Sequence, residues 1–172
     1  MIWGVFSLIG VIVLAFMFFY PTGIGSGNET VIDKATKEDV RFVLNWCELG
    51  EDRIEKVLKS SVSPRAFTGD HLDAYSIKIS HVDITELKKN EDMRPGQWYR
   101  GDSLPKILDD AITFIGGFQH ETPWFPTTKN IKTSDYYIYP WSIYCHGVTP
   151  SSAQIIIVKP TEKIVYYMSV EI

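Results

Sequence analysis

The chain has 172 residues, 45% of them hydrophobic and 22% charged, which is near ordinary globular usage and argues against intrinsic disorder. All 17 basic and all 21 acidic side chains fall after residue 20, so the rest of the chain carries the whole net charge of -4. A mildly acidic chain without a Lys/Arg cluster argues against nucleic acid as a partner, since phosphate neutralisation supplies most of that affinity.

Met1 to Tyr20 reads MIWGVFSLIGVIVLAFMFFY, with no charge, proline or strongly polar side chain. As a helix it spans about 30 Å, the thickness of a bilayer's hydrocarbon core. Trp3 and Tyr20 stand near its ends, where amphipathic aromatics favour the interface. A cleaved signal peptide is the competing assignment, and Gly23 and Gly25 do supply a small-x-small pair. It lacks a basic n-region, however, and its apolar run exceeds the roughly 7–15 residues of an h-region. Residues 1–20 are therefore read as a single-pass membrane anchor.

Pro21 ends the span, and residues 21–35 read as a flexible, glycine-rich tether. Gly23, Gly25 and Gly27 lack the preceding strand that a phosphate-cradling loop requires. The side of the membrane is finely balanced. Lys34, Lys37 and Arg41 are the nearest basic residues and would place the domain inside. The acidic, glycine-rich stretch directly after the span favours translocation, and the reading leans to an extracytoplasmic domain.

Residues 36–172 fit one globular domain. Thr36 and Asp39 make a capping-box-like start, followed by Val40, Val43, Leu44 and Cys47 at helical spacing, with Gly50 as the stop. Asp52 with Ile54, Val57 and Leu58 predicts a second short helix, making a helical hairpin. Tyr75, Ile77 and Ile79 alternate as a half-buried strand. Asp83 to Glu86 is a second capping signal for a short helix ending by Asn90, and Pro95-Gly96 marks a loop.

Leu104, Ile107, Leu108, Ala111, Ile112 and Ile115 predict the clearest helix, capped by Asp102 or Ser103 and ended by Gly116-Gly117. Tyr137, Tyr139, Trp141, Ile143 and Cys145 are expected on one strand face. A buried run at Ile155–Val158 and an alternating strand from Ile164 to Val170 follow. Strands gathered after helices indicate an α+β fold with a mainly antiparallel sheet and packed helices. Cys47 and Cys145 are expected as two buried thiols rather than a disulfide.

No coherent catalytic set emerges. His120-Glu121 begins like a zinc-protease helix motif, but Pro123 and Trp124 follow and no second His appears. The four histidines have no close ligand spacing, so neither a metal nor a cofactor is expected. Cys145-His146 are neighbours that a strand would point to opposite faces, and no Gly-x-Ser-x-Gly elbow exists.

Thr68-Gly69-Asp70-His71 and Arg100-Gly101-Asp102 both place an acid after a glycine. Turn formation and capping account for such a pattern, and a cleft collecting Asp70, His71, Arg100 and Asp102 is the functional alternative. Arg100-Gly101-Asp102 also matches an adhesion tripeptide, which common residues form by chance. The aromatic segments around Trp124 and Trp141 fill a core or, where exposed, make a contact surface. The sequence thus predicts a non-enzymatic, membrane-anchored module that binds a protein partner or serves as an accessory subunit of a membrane complex. Its rival is a membrane-tethered hydrolase-like enzyme with a dispersed polar site, and the six binding candidates are Asp70, His71, Arg100, Asp102, Trp124 and Trp141.

Overall fold

A computed structural model describes residues 35–67, 69–88 and 97–172. Thr36 opens the first helix as expected: its backbone N–H and its hydroxyl both donate to Oδ2 of Asp39 at 2.8 Å. Those two bonds hold the Asp39 carboxyl below the usual carboxylate range. Helix α1 (Lys37–Trp46) buries Val40, Val43 and Leu44. The chain leaves it at Cys47, and the Leu49 N–H returns to the Leu44 carbonyl at 2.9 Å.

The second expected helix is a strand. After one 3-10 turn at Glu51–Arg53, β1 runs over Ile54–Val62 and pairs with β2 (His71–Ile79). Two bulges explain the misleading spacing. Ile54 pairs with Ile79 and Val57 with Ile77, with an extra residue before Lys56 and another before Lys59. Each extra residue stretches the one-face interval of a strand from two to three, which imitates a helix.

β3 (Tyr99–Arg100), β4 (Tyr137–His146), β5 (Thr149–Lys159) and β6 (Ile164–Glu171) complete a six-stranded sheet in the order β1-β2-β6-β5-β4-β3. Every neighbouring pair is antiparallel, so the α+β class with an antiparallel sheet is what the chain adopts. β5 and β6 alternate between two cores. Ile156, Val158, Val165 and Tyr167 pack under α1, whereas Ile155, Ile157, Tyr166, Met168 and Val170 pack toward α2 (Lys106–Gly116). The apolar run at 155–158 is continuous because both faces of that strand are covered.

Four further expectations are corrected. α2 starts at Lys106 with Pro105 in the cap position, and neither Asp102 nor Ser103 caps it, because the Asp102 carboxylate accepts from Arg100 Nε instead. Its buried face is Leu108, Ala111, Ile112 and Ile115, while Ile107 is exposed. On β4 a register shift between Pro140 and Ser142 reverses the alternation, so Tyr137 and Tyr139 lie in the α1 core and Ile143 packs in the α2 core. Cys145, expected to be buried, is exposed, and both thiols are free.

The signal at Asp83 forms a turn in which Asp83 Oδ1 accepts from the Thr85 N–H at 2.8 Å, followed by a 3-10 turn at Glu86–Lys88. A short helix α3 (Thr128–Ile131) packs beside α2. Among the described residues no helix is long and apolar enough to cross a membrane. The expected anchor at 1–20, the tether to residue 34 and the Pro95-Gly96 loop lie outside the described residues.

Candidate functional site

The α1 side of the sheet is roofed over only half its length. Cross-strand pairing arranges that face in rows. Ile77, Val165, Val158 and Tyr137 form one row, and Tyr75, Tyr167, Ile156 and Tyr139 the next. Both rows belong to the α1 core. The third row is Asp73, Ser169, Gln154 and Ser142, and the fourth His71, Glu171, Ser152 and Tyr144. The face therefore changes from wholly apolar to almost wholly polar in a single step of the strands.

An aromatic ridge marks the boundary. Phe42 of α1 meets Tyr167 edge-on at 5.3 Å, and Trp46 meets the same ring at 6.1 Å. Trp46 also stacks on Trp141 with ring centroids 4.6 Å apart and planes within 4°. The bulge after Pro140 is what frees Trp141 to reach across to the helix. It remains 42% exposed, and Tyr144 beyond it is 67% exposed.

Beside the ridge lies a buried polar network. His71 Nε2 is 3.0 Å from Ser169 Oγ, and His71 Nδ1 is 2.9 Å from the Gly69 carbonyl and 3.7 Å from Glu171 Oε2. A carbonyl only accepts, so Nδ1 carries the proton, and in neutral His71 the Ser169 hydroxyl donates to Nε2. Asp73, half-buried in the same face, has its carboxyl raised by burial, opposed by the nearby His71 and by Arg65 at 3.5 Å. Burial likewise pushes the Tyr75 and Tyr167 phenols up to about 12, against a hydrogen bond between Tyr167 and Ser169 in the second case.

A hydroxyl on an imidazole is the contact a nucleophile and its base require. Here Ser169 is only 2% exposed, enclosed by its row neighbours, so an incoming carbonyl has no approach. The network orders the polar half-face rather than presenting a nucleophile. Among the described residues no three His, Cys, Asp or Glu side chains gather as a metal site.

The residues singled out from sequence do not share one cleft. Asp70 and His71 stand at the start of β2, while Arg100 lies on β3 at the opposite edge, four strand spacings or about 19 Å away. Arg100 also pairs with Tyr137, in the row of Ile77, far along β2 from His71. Asp102 is bound to Arg100 at 2.5 Å. Gly101 between them is buried, and a Cβ there would sit 2.0 Å from the Ile131 carbonyl oxygen, so this tripeptide is a packed corner rather than a presented loop.

A shallow cleft of about 360 Å³ beside Arg100 is lined by Gln97, Trp98, Ser103 and Tyr137, and none of the other five candidates borders it. Trp124 packs with Phe125 on the α2 side, away from Trp141. His120 is exposed in a turn, 3.3 Å from Glu121.

Sequence reasoning missed Asp73, Ser169, Gln154 and Trp46. One signal was available: in both β2 and β6 the residues alternating with Leu72, Ala74, Met168 and Val170 become polar toward one end. Along the outer edge, β3 pairs only with Tyr137 and Ile138. From Ser142 onward β4 has a strand on one side alone among the described residues, and the segment Trp141–His146 contains no Asp, Glu, Lys or Arg. No family model, no curated protein and no solved structure matches the chain.

Proposed function

We propose that this chain is a single-pass membrane-anchored module, with its folded part outside the cytoplasm, that binds a protein partner and has no catalysis of its own. Residues 1–20 supply the anchor, on the length and apolarity of that run. The observation that carries the binding reading is the second half of β4. It is an uncharged edge with Trp141 stacked on Trp46 and Tyr144 largely exposed, beside a polar half-face that the helix leaves open.

Natural sheets guard free edges with charge and bulges, and β1 does so with Lys56, Lys59 and two bulges. β4 has a bulge at Trp141 but lacks the charges, and it offers aromatic anchors of the type that dominate interface energetics. The hydrolase-like alternative has no shared pocket for Asp70, His71, Arg100 and Asp102.

The test is chemical cross-linking of the full chain in its native membrane, followed by identification of what it retains. Trp141→Ala and Tyr144→Ser, both at exposed positions, are expected to lower retention of one specific partner by about tenfold or more with an unchanged circular dichroism spectrum. An identical set of retained proteins in wild type and both variants would rule out this edge as the docking surface.

A further inference from the structure

Two of the sheet's hairpin turns lie on one rim, and each sets an apolar side chain at its tip. In the β1–β2 connection the Ala66 N–H donates to the Asp70 carbonyl and the Gly69 N–H returns to the Ala66 carbonyl, both at 3.0 Å, and Phe67 projects from that turn at 108% exposure. In the β4–β5 hairpin, closed by the pair His146 and Thr149, Gly147 takes φ +65° and Val148 is 91% exposed. Tyr144, at 67%, stands just below. The pairings His71–Glu171, Glu171–Ser152 and Ser152–Tyr144 place both turns at the same end of the strands.

Neither tip residue supports the fold. Both are exposed beyond any core contact, at turn positions that Gly, Pro, Asn, Asp or Ser ordinarily fill. The hairpin at the opposite rim is polar and charged instead. Its turn, Pro160–Glu162 with Lys163, exposes Thr161, Glu162 and Lys163, and Lys78 and Lys159 both bond to Glu162. One rim is charged and the other carries apolar tips.

We infer that the rim carrying Phe67 and Val148 is a second membrane contact, dipping both turns into the interface of the bilayer that holds the anchor. The inference rests on the anchored reading above. The span's last residue is Tyr20 and the described chain begins at Ala35, so residues 21–34 separate them. Fourteen residues reach at most about 50 Å, which keeps the rim within range of that membrane. At such a range even a weak apolar contact is populated, because the membrane's effective concentration is high. Phe67 and Val148 suit the acyl boundary, and Tyr144 the headgroup level. Charge on the rim does not favour anionic lipid: Arg65 is paired with Asp73, and Asp70 and Glu171 are acidic. The lipid surface it fits is zwitterionic.

The full chain is reconstituted into phosphatidylcholine vesicles, floated, and labelled with an environment-sensitive fluorophore. Single labels are placed by Phe67→Cys, Val148→Cys or Thr161→Cys in a Cys145→Ser background. At 67 and 148 the label is expected to lose most of its fluorescence to doxyl groups on the acyl chains, as a depth of about 5–10 Å requires, while the label at 161 is unaffected. Chains that float with all three labels in water overturn the rim contact and leave the anchored reading intact. Labels at 67 and 148 that are shielded from aqueous iodide but untouched by doxyl lipid assign the rim to a protein contact, which also overturns it. A chain that fails to float removes the anchored reading, and the rim contact with it.

Discussion

At the scale of single residues, two chemically identical thiols are separated by their surroundings. Cys47 lies at the end of α1 in the core, 2% exposed, its Sγ 3.6 Å from the Leu44 carbonyl, and burial pushes its thiol up to about 12. Only the thiolate attacks electrophiles, so Cys47 is inert in the folded chain. Cys145 is exposed near the β4–β5 turn. A maleimide is expected to modify one thiol per native chain and two after denaturation, counted by intact mass. Two adducts on the native chain would contradict the packing of α1. The same exposed thiol reports membrane side, since an impermeant reagent labels intact cells only if the domain faces outward.

Arg53 and Glu86 make the best-formed ion pair, with guanidinium nitrogens 2.6 and 3.2 Å from the two carboxylate oxygens. The hydrogen bonds from Arg53 hold the Glu86 carboxyl below its ordinary value of 4.5. An acid whose folded value is lowered contributes stability above its unfolded value, and that contribution disappears as pH falls through the folded value. Glu86→Gln is therefore expected to cost about 1 kcal/mol near neutrality, a figure suited to a partly exposed pair. In acid the variant and wild type converge. Urea denaturation over a series of pH values from about 7 downward reads the difference, which shrinks as pH falls, and a gap that stays constant across the series would mean that Glu86 acts through packing rather than charge.

At the scale of elements, legibility followed uninterrupted period. α1, α2, β2 and β6 keep one period from end to end, and each was readable from its apolar spacing. β1 was not, because its two bulges put Ile54 and Val57 on one face three residues apart. β4 was readable as a strand but not in its facing, since the bulge after Pro140 sends Ile143 to the other core and leaves Cys145 in solvent. Bulges depend on how two strands pair, which no single segment encodes.

The site was illegible for a related reason. The row Asp73, Ser169, Gln154 and Ser142 draws one residue from each of four strands, and their adjacency exists only once the sheet order is set. Arg100 and Asp102 looked like partners of Asp70 because each follows or precedes a glycine. In the fold, Gly101 serves a tight corner against Ile131 and the charges satisfy each other.

At the scale of the whole molecule, one sheet carries two cores that meet only through its strands. Ile156 is fully buried toward α1, and its neighbour Ile157 is fully buried toward α2. Both sit on β5, whose pairing with β4 and β6 joins the two sides. Truncating either to alanine removes apolar burial and leaves a cavity worth about 2–5 kcal/mol. Losing one core would strip the sheet of half its cover, so neither layer should melt alone.

Trp46, Trp98 and Trp141 all lie on the α1 side, so the shift in their fluorescence on unfolding is weighted toward that core. Ile157→Ala, on the far side of the sheet, is expected to lower the fluorescence midpoint as far as the circular dichroism midpoint, in one transition, as Ile156→Ala does. A fluorescence transition left in place by Ile157→Ala would show that the two layers fold separately. The polar half-face would then be held by α1 and its ridge alone. A single shared transition instead ties the β4 edge and the apolar rim to the integrity of both cores, since both surfaces are built on the strands that the cores share.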